Sequence, residues 1–384
     1  MNQRLKYVLV SLVTMVITVV LMGACAFWAL GGTVEKATDM LRFIVTVRFV
    51  EEKFVGDIPP GALINGSFDG MMQALNDKYS VYMDPEKFKQ LNSINHGSFG
   101  GIGVVMSFSE PGHCRIMSVM DGAPGKEAGL EPNDEIIAVE GIAVDTLQPE
   151  EIVSQIRGEE GTSVVLTVRR AGQEDQDYTL VRSNIHVDTA AGDVLPNTDI
   201  GYIRIASFSE NTAVEFQNVL TTLKEKNIKG LIIDLRANPG GLLKTCVEIA
   251  NMVVPAGDVV SVVDHSGYKE VYRSELQGEF LPIVVLIDNN SASASEILAG
   301  ALKDRKAATL VGVKSYGKGS VQTILPLFKG DGIKLTVAKY YTPSGVSIDG
   351  VGIEPDVEIA LPEKPVKDVQ LEKAIEVMNK KLNN

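Results

Sequence analysis

The stretch Leu231-Ile232-Ile233-Asp234-Leu235-Arg236-Ala237-Asn238-Pro239-Gly240-Gly241-Leu242 reads as a buried strand, a glycine turn and the opening of a helix. A run that is apolar without alternation belongs to a strand covered on both faces, and a helix straight after it points to α/β layering. The alternation continues outward on either side. Tyr202-Ile203-Arg204-Ile205 is a strand, Thr212 to Lys226 a helix, and Leu242 to Val254 another helix. Ile283 to Ile287 forms a second buried strand and is followed by a helix from about Ser293 to Lys303. From Asp199 onward this order predicts an α/β core. Val369 to Leu382 is periodic enough for one amphipathic helix.

Upstream the pattern changes. From His96 to about Arg182, short alternating segments such as Val164-Val165-Leu166-Thr167-Val168-Arg169 stand between glycine turns, which predicts a compact β-rich module. Thr33 to Leu91 mixes apolar residues at helical spacing with charges and reads as a small helical region. Within it, Asp84-Pro85 reads as a turn opening a helix with proline in its first position.

From Tyr7 to Leu30 no side chain is charged, and only Arg4 and Lys6 precede that run. Its length suits a bilayer core, so a single-pass transmembrane helix over 1–31 is expected, with the N-terminus cytoplasmic and the rest of the chain outside. Gly23-Ala24-Cys25 resembles a lipoprotein cleavage box, which keeps a secreted or lipid-anchored form as an alternative. Met22, and the apolar continuation Ala26 to Leu30, favour an uncleaved anchor.

At 384 residues the chain exceeds one ordinary core, and 45% hydrophobic with 22% charged residues is globular composition. A formal charge of -13 with no basic stripe disfavours a nucleic-acid partner. Cys25, Cys114 and Cys246 cannot all pair, and no CxxC or Cys/His spacing suggests zinc, so neither a disulfide framework nor a metal is expected.

The chemistry centres on Asp288-Asn289-Asn290-Ser291-Ala292-Ser293-Ala294-Ser295-Glu296, between a buried strand and a helix. A serine there faces first-turn N–H groups that lack helical partners and can hold an oxyanion. Ser293-x-x-Glu296 is also a capping box, and alone that is its ordinary reading. Tyr316-Gly317-Lys318-Gly319 changes the balance. A lysine general base must be neutral, which burial promotes, and Gln322 stands four residues later to support it. Gly312 and Gly317-Lys318 mimic a phosphate loop, but Gly319 occupies the Ser/Thr place that ligates magnesium. His265 beside Asp264 invites a histidine triad; yet His96, His113, His186 and His265 all lie in segments rich in charge, Gly and Ser, which reads as surface, and no G-x-S-x-G elbow exists.

Ser-Ala-Ser-Ala-Ser-Glu-Ile at 291–297, Tyr-Gly-Lys-Gly at 316–319 with Gln322, and Asp-Leu-Arg-x-Asn-Pro-Gly-Gly at 234–241 together resemble the carboxyl-terminal processing peptidases, or tail-specific proteases. The resemblance runs from about residue 35 to 360. It implies Ser293 as nucleophile, Lys318 as base, Gln322 as its support, and oxyanion donors at Ala294 and in the Gly240–Gly241 pair, Gly240 foremost. With the segments read from the residues, it gives a multidomain α/β chain with a β-rich module: an anchor at 1–31, a helical region at 32–95 and a C-terminal helix at 363–384 from the residues, and, as the resemblance implies, a PDZ domain at 96–182 and a crotonase-like α/β spiral core at 183–362. Ser98-Phe99-Gly100-Gly101-Ile102-Gly103-Val104 resembles the PDZ loop that captures a terminal carboxylate, and Ala128-Gly129-Leu130-x-x-x-Asp134-x-Ile136 its later signature. Arg157, in Ile156-Arg157-Gly158, matches a residue that senses bound peptide where the domain acts as a gate. The expected partners are protein or peptide substrates with accessible tails, a homodimer is left open, and no cofactor is implied. A PDZ-bearing adaptor with a silent core is the rival, which the intact Ser293, Lys318 and Gln322 disfavour.

Overall fold

The computed structural model describes residues 3–29, 31–110, 112–278, 280–362 and 367–383. The chain divides into two compact units, Met1–Asn76 and Asp77–Asn384.

The first unit is helical: Gln3–Ala29, Val34–Lys53 and Ala62–Ala74. The Thr33 hydroxyl caps the second helix by accepting the Lys36 N–H at 3.2 Å. The expected transmembrane helix is corrected here. Gln3–Ala29 is a helix of 27 residues, but no helix among the described residues is long and apolar enough to cross a membrane. Within it, Thr14 and Thr18 turn their hydroxyls back onto the carbonyls of Val10 and Thr14.

The second unit is built on a six-stranded sheet. Its strands in spatial order are Ala190–Val194, Ile200–Ile205, Gly230–Asp234, Ile283–Ile287, Ala308–Gly312 and Val357–Glu358. The first pair is antiparallel and the others are parallel. Every residue of Gly230–Asp234 and Ile283–Ile287 is buried, because both sheet faces are covered. Ile233, Val285 and Ile287 pack with the helices Thr212–Glu225, Leu243–Val253 and Ala294–Asp304. Ile232, Val284 and Leu286 pack under the C-terminal helix Val369–Leu382. Residues 363–366 and 384, also assigned to the C-terminal segment, lie outside the described residues. Each fully buried aliphatic side chain contributes about 1.5–3 kcal/mol, which anchors the loops at the strand ends.

A second, antiparallel sheet joins Val81–Met83, Gly332–Tyr341, Gly257–Asp264 and Lys269–Ser274, and Ser320–Pro326 also pairs with Gly332–Tyr341. Before it in the chain, Pro85–His96 forms the expected helix, with Pro85 in its first turn and the Asp84 carboxylate accepting the Lys87 N–H at 2.9 Å. The β-rich module holds its own sheet, in which Ser163–Arg169 alternates buried and open positions. Its Asp134 is 1% exposed and held by two Arg170 nitrogens at 2.7 Å. The chain enters the module through Ser98–Gly101 and leaves through Ser183–His186, and these two strands pair antiparallel as a ribbon.

Candidate active site

The buried strand Ile283–Ile287 delivers the loop 288–293 to the end of the parallel sheet. Of the three serines at 291, 293 and 295, two are consumed by structure. Ser291 Oγ donates to the Leu235 carbonyl at 2.8 Å and accepts from the Asp288 N–H at 2.9 Å. Ser295 Oγ donates to the Asn238 carbonyl at 3.0 Å, and both serines are wholly buried. Ser293 alone among them is partly open, lining a cleft of ≈ 220 Å³ with Lys318, Gln322, Gly241, Ala294 and Tyr340. Its backbone sits at φ 55, ψ -114. For a non-glycine residue such strain costs about 1–3 kcal/mol and persists only where surrounding bonds enforce it.

Glu296 supplies that enforcement. Its side chain is 0% exposed. Oε2 accepts the N–H of Ser293 at 2.8 Å and of Lys318 at 2.9 Å, while Oε1 accepts the Gly317 N–H at 2.7 Å and the Ser315 hydroxyl at 2.5 Å. The carboxylate therefore does more than the capping read from Ser293-x-x-Glu296: it joins the serine loop to the lysine loop. Glycine is required on both sides of Lys318. Gly317 has φ +89, and a Cβ on Gly319 would stand 2.5 Å from the Asp349 backbone nitrogen.

Burial lowers the Lys318 pKa below the usual lysine value; the Lys334 charge acts in the same direction, and Glu296 and Asp77 oppose it. The Nζ lies 5.0 Å from the Tyr79 ring centroid and makes no hydrogen bond or ion pair among the described residues. Ser293 and Lys318 thus share a cleft without being hydrogen-bonded to each other. Gln322 reaches the same cleft, but its amide donates to Ser320 Oγ at 2.8 Å and Thr336 Oγ1 at 3.3 Å, not to the lysine. Tyr340, which the sequence reading passed over, is 1% exposed. Its hydroxyl meets the Lys318 carbonyl and the Ser293 side chain, and burial pushes its pKa well above the tyrosine range.

The glycine turn refines the oxyanion assignment. Gly240 must be glycine, since a Cβ there would come within 2.7 Å of the Ala292 carbonyl and 2.8 Å of Ser293 Cβ. Its N–H, however, already donates to Asn238 Oδ1 at 2.8 Å, and Asn238 is fixed by donating to the Ile205 carbonyl at 2.8 Å. The N–H groups of Gly241 and Ala294 donate to no acceptor among the described residues, and both residues line the cleft. The pair open to an oxyanion is therefore Gly241 and Ala294.

Below the turn, Arg236 bridges the fully buried Asp234 to Asp368, ahead of the C-terminal helix, through bonds of 2.6 to 3.1 Å. Burial alone would lower its guanidinium pKa, but the hydrogen bonds to Asp234 and Asp368 outweigh that and raise it. His265 takes no part in the cleft, and all four histidines are exposed.

In the β-rich module, Gly100 borders a second cavity of ≈ 590 Å³ together with Phe99, Phe108, Val153 and Arg157. One wall of it comes from Lys89 and Gln90 on the helix Pro85–His96. Of the other loop residues, Gly101 pairs in the ribbon, Ile102 is buried at 2% exposure, and Gly103 (φ +70) packs against Ala123 ahead of the half-buried Val104. The Arg157 guanidinium stacks 4.0 Å from the Phe99 ring centroid, and desolvation lowers its pKa.

Comparison with known proteins finds three family models along the chain. The peptidase family S41 model matches residues 199–359, a PDZ domain model 115–170, and a model described as the activating protease CtpB N-terminal domain 32–87. Carboxy-terminal processing protease CtpB of Bacillus subtilis is 38% identical over 334 residues, 86% of this chain and 69% of that protein. The chain belongs to the carboxyl-terminal processing proteases. These are serine proteases, and this one carries a PDZ domain. Processing protease CtpA of the same organism is 39% identical over 78% of this chain, which spans 65% of that relative's length. The carboxyl-terminal-processing protease of Synechocystis is 38% identical, over 77% of this chain and 71% of that one. Among solved structures, a photosystem II D1 C-terminal processing protease aligns with TM-score 0.50 and 29% identity, covering 87% of this processing protease and 90% of that chain. A putative S41 protease of Bacteroides fragilis shares the fold at TM-score 0.51 with 14% identity.

Proposed function

We propose that this processing protease cleaves protein substrates, selected by their C-terminal tails, with Ser293 as nucleophile and Lys318 as general base. The observation that carries the reading is the cleft itself, where a partly open serine, a lysine of lowered pKa and two amides unpaired among the described residues converge. Once a Lys318 rotamer brings Nζ to Ser293, the neutral amine takes the Oγ proton as Oγ attacks the scissile carbonyl carbon. The Gly241 and Ala294 N–H groups receive the oxyanion. Collapse breaks the C–N bond, and the Lys318 ammonium protonates the departing amine. Water, deprotonated by the same amine, then attacks the acyl ester and returns Ser293. Gln322, tethered through its NH2 to Ser320 and Thr336, keeps its carbonyl oxygen for the lysine ammonium.

The missing Ser293–Lys318 hydrogen bond supports a resting state that peptide binding releases, with the PDZ cavity as receptor and Arg157, stacked on Phe99 at its edge, as sensor. Arg4 and Lys6 ahead of an apolar segment, with the cleavage-box likeness of Gly23-Ala24-Cys25, support a secreted or lipid-anchored protein acting outside the cytoplasmic membrane. The direct test incubates the purified protein with an unfolded substrate beside Ser293→Ala and Lys318→Ala. Both variants should be inactive and folded, and cleavage that survives both rules out the dyad.

A further inference from the structure

Two histidines make direct hydrogen bonds to carboxylates: His96 Nδ1 with Glu210 Oε2 at 2.7 Å, and His113 with Glu135. His186 is different. Its Nε2 stands 2.9 Å from Glu215 Oε1 and 3.4 Å from Asp188 Oδ1. Neither approach has hydrogen-bond geometry, and Glu215 Oε1 is buried with no hydrogen-bond partner among the described residues. Hydrogen-bonded atoms point at one another, whereas ligands of one cation stand close while their lone pairs converge on a third point.

The distances fit that second arrangement. One ligand atom from each of the three residues lies within 4.8 Å of the other two. A tetrahedron with bonds of roughly 2.0–2.1 Å has edges of about 3.3 Å. The Glu215 carboxylate is also preset. Oε2 accepts from Thr189 N at 2.7 Å, Thr189 Oγ1 at 2.8 Å and Ala190 N at 2.9 Å, which holds Oε1 toward the imidazole as outer hydrogen bonds commonly orient a metal ligand. Side-chain exposure is 12% for Glu215, 45% for His186 and 74% for Asp188, so one ligand is fixed in the protein and two face solvent, from which an ion arrives.

We propose that His186, Asp188 and Glu215 bind a divalent cation of the zinc type, with water completing a four-coordinate site. His186 ends the strand by which the chain leaves the PDZ module, and Glu215 lies in the first turn of a core helix. The cation therefore clasps the joint between them. From Thr189 the contact passes through the Thr212 hydroxyl at 2.6 Å to the Ser209 N–H at 2.8 Å. The next residue, Phe208, bonds to Gly240 O and Leu242 N on the oxyanion turn. The site shares no residue with the proposed catalytic group, so its role is to stiffen the joint, and it stands whether or not Lys318 is the base.

The test titrates the tag-free full chain, stripped with EDTA, with ZnCl2 by calorimetry at pH 7.5, and with CoCl2 by visible absorption. Saturation at one equivalent with tetrahedral cobalt bands is expected. His186→Ala and Asp188→Asn should each weaken binding at least about tenfold, while His96→Ala leaves it unchanged. Asp188 is open to solvent, so its variant keeps the fold, which circular dichroism checks. Absence of saturable binding, or unchanged affinity in both folded variants, would overturn the site and leave an ion-paired cluster.

Discussion

A single oxygen of Glu296, Oε2, accepts the backbone N–H of both Ser293 and Lys318, at 2.8 and 2.9 Å. The strained serine elbow and the lysine loop are thereby set against a common point inside the protein. Glu296→Gln keeps the shape but turns an NH2 donor toward N–H groups. It should lower kcat by about 100-fold with little change in KM, and cost about 1–3 kcal/mol of stability by denaturant melts. Wild-type kcat in this variant would separate the two loops' positioning from catalysis.

The two serines of the loop should part by readout. Ser293→Ala removes cleavage and changes the melting temperature little, because the Tyr340 hydroxyl that meets it keeps the Lys318 carbonyl as its partner. Ser291→Ala strips the Asp288 N–H of its partner and leaves the Leu235 carbonyl only the Asn238 N–H among the described residues, which costs about 1–3 kcal/mol, while some cleavage persists.

Lys318 gives the pH dependence. Burial lowers its folded pKa below the unfolded value of about 10.4, so the folded state binds fewer protons between the two values. The stability this contributes is present above the unfolded pKa and is lost as pH falls through the folded one. The general base is lost in the same window, so kcat/KM should show an acidic limb there. Lys318→Met should be inactive and melt higher than wild type at neutral pH. A melt lower than wild type would mean the amine is not a destabilising buried charge.

Arg157→Ala should leave basal cleavage intact and abolish its stimulation by added C-terminal tail peptides, measured as the ratio of initial rates with and without peptide. An unchanged ratio would exclude Arg157 as the sensor.

Much of the fold was legible because its signals are local. Leu231–Leu235 and Ile283–Ile287 announce double burial by their unbroken apolar runs, and Asp84-Pro85 marks a helix start by its own chemistry. What escaped depends on partners far along the chain. Glu296 looked like a cap, since its further donors at Ser315, Gly317 and Lys318 come from a later loop. Gly240 looked like the oxyanion donor because nothing local says that the Asn238 side chain folds back to take its N–H. Tyr340 reaches Ser293 only through the antiparallel pairing that closes its strand over Lys318. At the N-terminus absence of charge was read as a span, but no helix among the described residues is long and apolar enough to be one.

The stitching of the serine loop also sets the speed of any switch. Ser291 and Ser295 reach across to the carbonyls of Leu235 and Asn238, Ala292 donates to Asn238, and Asp288 accepts from Ala237, so the elbow and the glycine turn behave as one rigid piece. The Lys318 backbone is tied to that piece through Glu296. Only the butyl-ammonium arm of one lysine, now beside Tyr79, is left to swing. In the proposed gated cycle, going from idle to competent takes a side-chain torsion, over in nanoseconds once the arm is released, rather than a refolded loop.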